Sequence, residues 1–226
     1  MQRRNIEFKN NAVFLSIIFL VVSIFLFGDY YKIYKDKQHS KTYYRNVNSK
    51  LAQEMIGEKA IITIKALKFL NFKLLDNIAH PKLGVRLSPY PYIISSDKVI
   101  LGNEIEGYYK NNLKYDWGHN QEMEAIHLTF KEYYNQYIYN QDFANYDDIS
   151  YNSKLSNPTK MIDNTREFYP NSIIIEFKIN GVLAENQGKD WTILRLVFDN
   201  YKDDWYLVGI INLRGMKSYY DNISTY

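Results

Sequence analysis

The sequence predicts an α+β protein in which helices come first and an antiparallel sheet follows, behind an N-terminal transmembrane helix and stalk. Three observations carry that reading. Residues 12–27 read "AVFLSIIFLVVSIFLF", with no charge and no helix breaker. Residues 51–78 place apolar side chains three and four apart, the spacing of a helix face. Three strand-like runs, "SIIIEFKI", "DWTILRLVF" and "DWYLVGIINL", then close the chain.

With Asn11 and Gly28 the first apolar run reaches the lower end of the length that crosses a hydrocarbon core, about 17 to 25 residues. Its end, "SIFLFGDYY", lacks the small residues of a signal cleavage site, since Leu26 would lie three before a cut after Gly28. A retained anchor is therefore expected, with a secreted protein after signal cleavage as the alternative. The chain has no cysteine, which excludes a lipid anchor on cysteine, disulfides, thiolate metal sites and cysteine nucleophiles.

Basic residues flank the run on both sides: Arg3, Arg4 and Lys9 before it, Lys32, Lys35, Lys37, Lys41 and Arg45 after it. A short basic N-terminus usually stays inside, and a large domain translocates largely regardless of charge. The expected order is a cytoplasmic tail (1–11), an anchor (12–28), a basic stalk (29–50), an extracytoplasmic domain (51–216) and a C-terminal tail (217–226). Residues 1–11 carry +2 and residues 29–50 carry +4 of a total of +3, which leaves −3 for residues 51–226. The basic character belongs beside the span, where anionic headgroups attract it. The folded part gives no electrostatic case for nucleic acid.

Ile56, Ala60, Ile64, Leu67, Leu70, Leu74 and Ile78 form the apolar stripe of one long helix, or of two broken near Asn71. His80-Pro81 ends it, because the residue before a proline is pushed out of the helical region. Gly84 turns the chain into "VRLSPYPYII" and "KVIL", which read as strands. Asn103 with Glu106 reads as a helix start, and Thr129 with Glu132 as a capping box. Trp117-Gly118 reads as a loop closing onto the core. Ile173, Ile175, Phe177 and Ile179 share one side of a strand, and "DNYKDD" joins the last two strands as a hairpin.

His80, His119 and His127 are too widely spaced for a recognisable metal motif, and no nucleophile elbow, P-loop or dinucleotide fingerprint is present. No metal or cofactor is expected. Arg195 is the residue of most interest, because "WTILRLVF" is apolar on both faces and a cation there must be partnered. It is either the floor of a site for a small anionic ligand or a pair with Glu176, Asp142 or another strand carboxylate. Arg86 poses the same choice with less apolar company. His80 is a candidate general base or, alternatively, a cap or a hydrogen-bonded core group.

The segments "LDNIAHPKLGVRLSPYPY", "YDWG", "HLTFKEYYNQYIYNQDFAN", "YPNSIIIEF", "DWTILRLVF" and "WYLVGII" together resemble a family of uncharacterised extracytoplasmic proteins and lipoproteins of Bacillus- and Clostridium-like bacteria. The resemblance covers roughly residues 65–213. It implies a fold like that of nuclear transport factor two, with helices packed into the mouth of a strongly curved, cone-like antiparallel sheet. His80 would then lie at the helix–sheet junction and Arg195 would face the cone. The sequence departs from the family pattern at "HNQEMEAI" (119–126), at "NLRGMKSYY" (212–220) and in lacking the lipoprotein cysteine.

The resulting expectation is a membrane-anchored, non-enzymatic binding or interaction module of the bacterial cell envelope. Its ligand-binding residues would come from His80, Arg86, Tyr90, Trp117, Asp142 and Arg195, and its partner would be a small anionic ligand or an envelope protein. A scaffold subunit of a conjugation or secretion apparatus is one alternative. An isomerase- or dehydratase-like enzyme using His80 or Asp142 is the other.

Overall fold

In the computed structural model the described residues are 47–120, 123–155, 162–181 and 190–215. The anchor, the cytoplasmic tail and most of the stalk (1–46), and the C-terminal tail (217–226), lie outside them. Among the described residues no helix is long and apolar enough to cross a membrane.

Helix α1 (Ser49–Lys68) is opened by Asn48, whose side-chain oxygen accepts the Leu51 N–H at 3.0 Å. Of the stripe read from the sequence, Ile56, Ala60, Ile64, Leu67 and Ile78 are buried and Leu70 and Leu74 half-buried, while Ala52 and Leu75 are buried besides. The helix breaks where Leu70 takes a left-handed φ of 51°, and Asn71 caps the next one by accepting the Leu74 N–H at 3.1 Å. Helix α2 (Phe72–Ile78) thus starts at the residue where the break was expected.

The chain then hooks onto the sheet. Ala79 bridges Leu207 in parallel, and the His80 N–H donates to the Leu207 carbonyl at 2.9 Å. Gly84 reverses direction at φ 64°, with its N–H on the His80 carbonyl. A Cβ at Gly84 would sit 2.6 Å from the Ile100 carbonyl oxygen, so the turn needs a residue with no side chain. Strands β1 (Val85–Ser88) and β2 (Val99–Ile100) follow.

A 3-10 turn at Gly102–Glu104 leads into helix α3 (Ile105–Lys110). The expected Asn103–Glu106 cap is displaced two residues toward the N-terminus, because the Glu104 carboxylate accepts the Leu101 N–H at 3.2 Å. Strands β3 (Lys114–His119) and β4 (Ala125–Thr129) make a separate two-stranded ribbon. Trp117 therefore lies on a strand and not in a loop. It is buried there because its ring stacks on Tyr133 at 4.2 Å between centroids.

The Thr129 capping box is present, with the Glu132 carboxylate accepting the Thr129 N–H at 2.8 Å and the Thr129 hydroxyl accepting the Glu132 N–H at 3.2 Å. It opens helix α4 (Phe130–Tyr133), which continues as a π turn through Ile138. Strand β5 (Asp148–Tyr151), helix α5 (Thr165–Phe168), strand β6 (Ile173–Ile179), strand β7 (Thr192–Tyr201) and strand β8 (Asp204–Arg214) complete the fold. The last two form the expected hairpin. Lys202 and Asp203 both take positive φ, the turn that matches strand twist.

The six-stranded sheet has the order β2-β1-β8-β7-β6-β5. It is mixed and not wholly antiparallel: Arg86, Leu87 and Ser88 pair in parallel with Gly209, Ile210 and Ile211. The correction has a physical cause. Helices α1 and α2 already cover one face, and the Ala79–Leu207 bridge delivers β1 alongside β8 in the same direction. The sheet is buried on both faces, since Ile173 to Phe177 and Thr192 to Phe198 are all buried. Leu196 and its partner Ile210 face the helices, whereas Ile193, Val197 and Ile211 join Ile93, Ile174 and Leu213 in a cluster on the other face.

Gly84→Ala tests the turn. We expect a loss of at least about 2 kcal/mol in urea unfolding, from the left-handed backbone and the clash with Ile100 together.

Candidate functional site

Arg195 is 1% exposed and lies on the sheet face opposite the helices, because its neighbours Leu194 and Leu196 face them. Its cross-strand partner is Glu176, which is fully buried. The Arg195 Nε and Nη2 both donate to Glu176 Oε1, at 2.9 and 2.6 Å. Nη1 and Nη2 form a bidentate fork on Asp163, each at 3.0 Å, and Nη1 also donates to the Thr165 hydroxyl.

A guanidinium has five N–H donors, and these contacts occupy all of them. The charge is balanced as well: Glu176 and Asp163 face Arg195, while Lys154 reaches Asp163 at 3.0 Å. Burial alone would raise the Asp163 carboxyl. The hydrogen bonds and charge of Arg195, with the Thr165 N–H and Lys154, hold it well below the usual carboxylate range. A void of about 110 Å³ lies beside this cluster, but Arg195 keeps no donor for an anion in it. The pairing alternative therefore holds, with Asp163 as the second partner and Asp142 excluded.

Asp142 is instead an exposed clasp. It accepts from Lys68 Nζ at 2.7 Å, the Tyr139 hydroxyl at 2.8 Å and the Asn145 amide at 2.7 Å, and the Lys68 hydrogen bond lowers its carboxyl. Arg86 stands half-buried on β1 with Nη1 on the carbonyls of Ile94, Ser95 and Asp97, at 3.2, 3.0 and 2.8 Å. It organises the loop between β1 and β2. Tyr90 is half-buried in that loop, and Trp117 donates its indole N–H to the Leu128 carbonyl at 2.9 Å.

His80 is 4% exposed at the helix–sheet junction, where its N–H donates to the Leu207 carbonyl of β8. Its Nδ1 accepts the Lys82 and Leu83 N–H groups at 3.1 and 2.9 Å, and its ring meets Tyr201 at 4.9 Å and Tyr206 at 5.8 Å. Burial lowers its pKa, with Asp199 opposing. In this geometry His80 is a turn acceptor whose Nδ1 is committed to backbone.

The six residues singled out in the sequence do not converge. Under the helices the core is filled, and the apolar void among Leu67, Phe130, Tyr134, Ile138 and Ile210 measures about 20 Å³. The roomy cavity lies at the end of the sheet where β7 begins and β8 finishes, with a volume of about 360 Å³. Its walls include Asn120 from the β3–β4 ribbon, Tyr137 and Asn140 from the π turn and its exit, Trp191 and Thr192 from the start of β7, and Arg214 from β8.

The cleft is built from polar groups held in place. The Arg214 guanidinium lies 4.8 Å from the Tyr137 ring centre, and its Nε donates to Asn212 Oδ1 at 2.8 Å. Tyr137 stacks on Tyr133 at 5.0 Å, and Tyr133 on Trp117, so one aromatic column backs this wall. The buried Oδ1 of Asn140 has no hydrogen-bond partner among the described residues, and neither has the Nδ2 of Asn212, which is 1% exposed. Such atoms are costly to leave unpaired in a closed interior.

Sequence reasoning missed this cleft, although a signal was present. Asn212 and Arg214 are polar at alternate positions of a strand that is otherwise apolar from Leu207 to Leu213. Among the described residues no group of three or more His, Asp or Glu could hold a metal ion. No protein-family model, curated protein or solved structure matches the chain.

Arg195→Met should cost about 3–5 kcal/mol by stranding two carboxylates, and adding Glu176→Leu should restore part of it in denaturant unfolding. Asp163 has a depressed folded pKa, so its contribution is complete above the unfolded value of about 3.9 and is lost as pH falls below it. Asp163→Asn should therefore flatten the acid limb of the stability–pH curve. His80→Ala should cost about 1–3 kcal/mol by leaving two N–H groups without an acceptor.

Proposed function

We propose that the chain is a membrane-tethered, non-enzymatic binding module of the cell envelope, and that its binding site is the cleft between the π turn and the ends of β7 and β8. The observation that carries this reading is the cleft itself. At about 360 Å³ it falls within the range of small-molecule sites, roughly 300–1,000 Å³, and it contains a buried acceptor with no partner among the described residues. Arg195 is set aside as the site because its five donors are occupied by protein groups.

The tether is the uncharged run at residues 12–27, and the basic stretch at 29–50 would lie against anionic headgroups on leaving the bilayer. The folded domain then stands outside the cytoplasm. A catalytic role for His80 is disfavoured by its two backbone N–H contacts, which occupy the nitrogen that a base would use.

The absence of cysteine makes topology directly measurable, because any introduced thiol is unique. In intact cells an impermeant maleimide should label Ser153→Cys, an exposed position, and leave Asn5→Cys unlabelled until the membrane is opened. Labelling of both positions from outside, or of neither, would sink the orientation. A thermal-shift screen of small polar molecules on the full chain should give at least one stabilising hit that Asn140→Leu abolishes.

A further inference from the structure

If the cleft is the binding site, as proposed above, its lining also restricts the chemistry of its occupant. Among the described residues the cleft is lined by one acidic and one basic side chain, Asp190 and Arg214, so their formal charges cancel. The remaining polar lining is made of neutral amides and hydroxyls: Asn120, Asn140, Gln141, Thr192 and Tyr137. A phosphate, sulfate or carboxylate only accepts hydrogen bonds. It would meet the Asp190 carboxylate across the cleft and would leave the buried Asn140 Oδ1 without a donor.

The occupant that fits must donate as well as accept. A hydroxyl does both, and several hydroxyls on one ring can reach planar amide, carboxylate and guanidinium groups in pairs. Arg214 is suited to such paired contacts because its plane is fixed, laid on the Tyr137 ring and tied through Nε to Asn212. Trp191, half-buried, packs against the core cluster around Ile193 and Leu213, and the part of it that lines the cleft offers apolar surface to the C–H face of a sugar. The volume admits a short segment, not an extended polymer surface.

We infer that the cleft binds a neutral oligosaccharide, with Asn140 accepting from a sugar hydroxyl, Arg214 donating to ring substituents and Trp191 stacking. The ligand is thereby distinguished from the small anion for which Arg195 was the expected floor.

The test uses the full chain in lipid nanodiscs, since glucoside and maltoside detergents would themselves compete. Isothermal titration is run with N-acetylchitotriose, cellotriose and maltotriose, and with glutamate and inorganic phosphate as charged probes. At least one trisaccharide should bind with a sub-millimolar Kd. Asn140→Leu and Trp191→Ala should each weaken it tenfold or more, whereas Asn140→Asp, which keeps an acceptor in the same place, should retain it. Loss of binding in Asn140→Asp together with Asn140→Leu would overturn the assigned contact. If phosphate or glutamate binds through Arg214 and the trisaccharides do not, the saccharide assignment falls while the binding module stands. If no probe binds and the cleft variants leave every thermal-shift response unchanged, both readings fall.

Discussion

A guanidinium buried in the middle of a sheet constrains everything around it. Arg195 sits on β7 directly across from Glu176 on β6, and the two alone would leave donors unfilled and a lone charge pair in an apolar layer. The segment carrying Asp163 and Thr165 is brought over the sheet to complete the set, and the Leu155 N–H donates to the second Glu176 oxygen at 2.6 Å. The chain between β5 and β6 is thus held, in its described residues, by these polar contacts together with the packing of Leu155 and Tyr169 against the sheet. That explains how a sheet with α1 and α2 on one side can be buried on both.

The distribution of space follows from the same layering. One face is sealed by α1, α2 and the π-turn segment, with Tyr134 donating its hydroxyl to the Leu67 carbonyl, and the other by the Asp163 segment and the loop that Arg86 organises. A space of about 360 Å³ lies instead at the end of the sheet, where neighbouring strands run out and the aromatic column of Trp117, Tyr133 and Tyr137 reaches Arg214. A rigid wall at the mouth of an otherwise filled fold is a favourable place for specificity, because little has to be ordered when a molecule enters.

The local features of the fold were legible in the sequence, and the non-local ones were not. The helical stripe, the break at Asn71, the Thr129–Glu132 cap and the Lys202-Asp203 turn rest on interactions within a few residues, so short patterns reveal them. The parallel pairing of β1 with β8 joins residues more than 120 positions apart, and nothing in "VRLS" announces it. The apolar setting of Arg195 showed that it needs partners, and Glu176 was among the carboxylates in reach. Asp163 was invisible because it lies in irregular chain, where period and alternation give no address. The cleft was missed for the same reason: its walls come from separate stretches of the chain, none of them a motif.

The parallel β1–β8 pair also sets an order of events. Strand β1 is flanked by β2 and by β8, so its longer edge stays open until residues more than 120 positions further along are available. Contacts of such wide separation make folding slow, since much loop entropy is lost before the pairing rewards it. A polypeptide emerging N-terminus first would hold helices, the β3–β4 ribbon and an unfinished β1–β2 pair until β8 is made. The last strand, Asp204–Arg214, acts as the keystone: it closes the sheet against β1 and carries Arg214 to the cleft in the same stroke. Completion of the fold and completion of the site are one event.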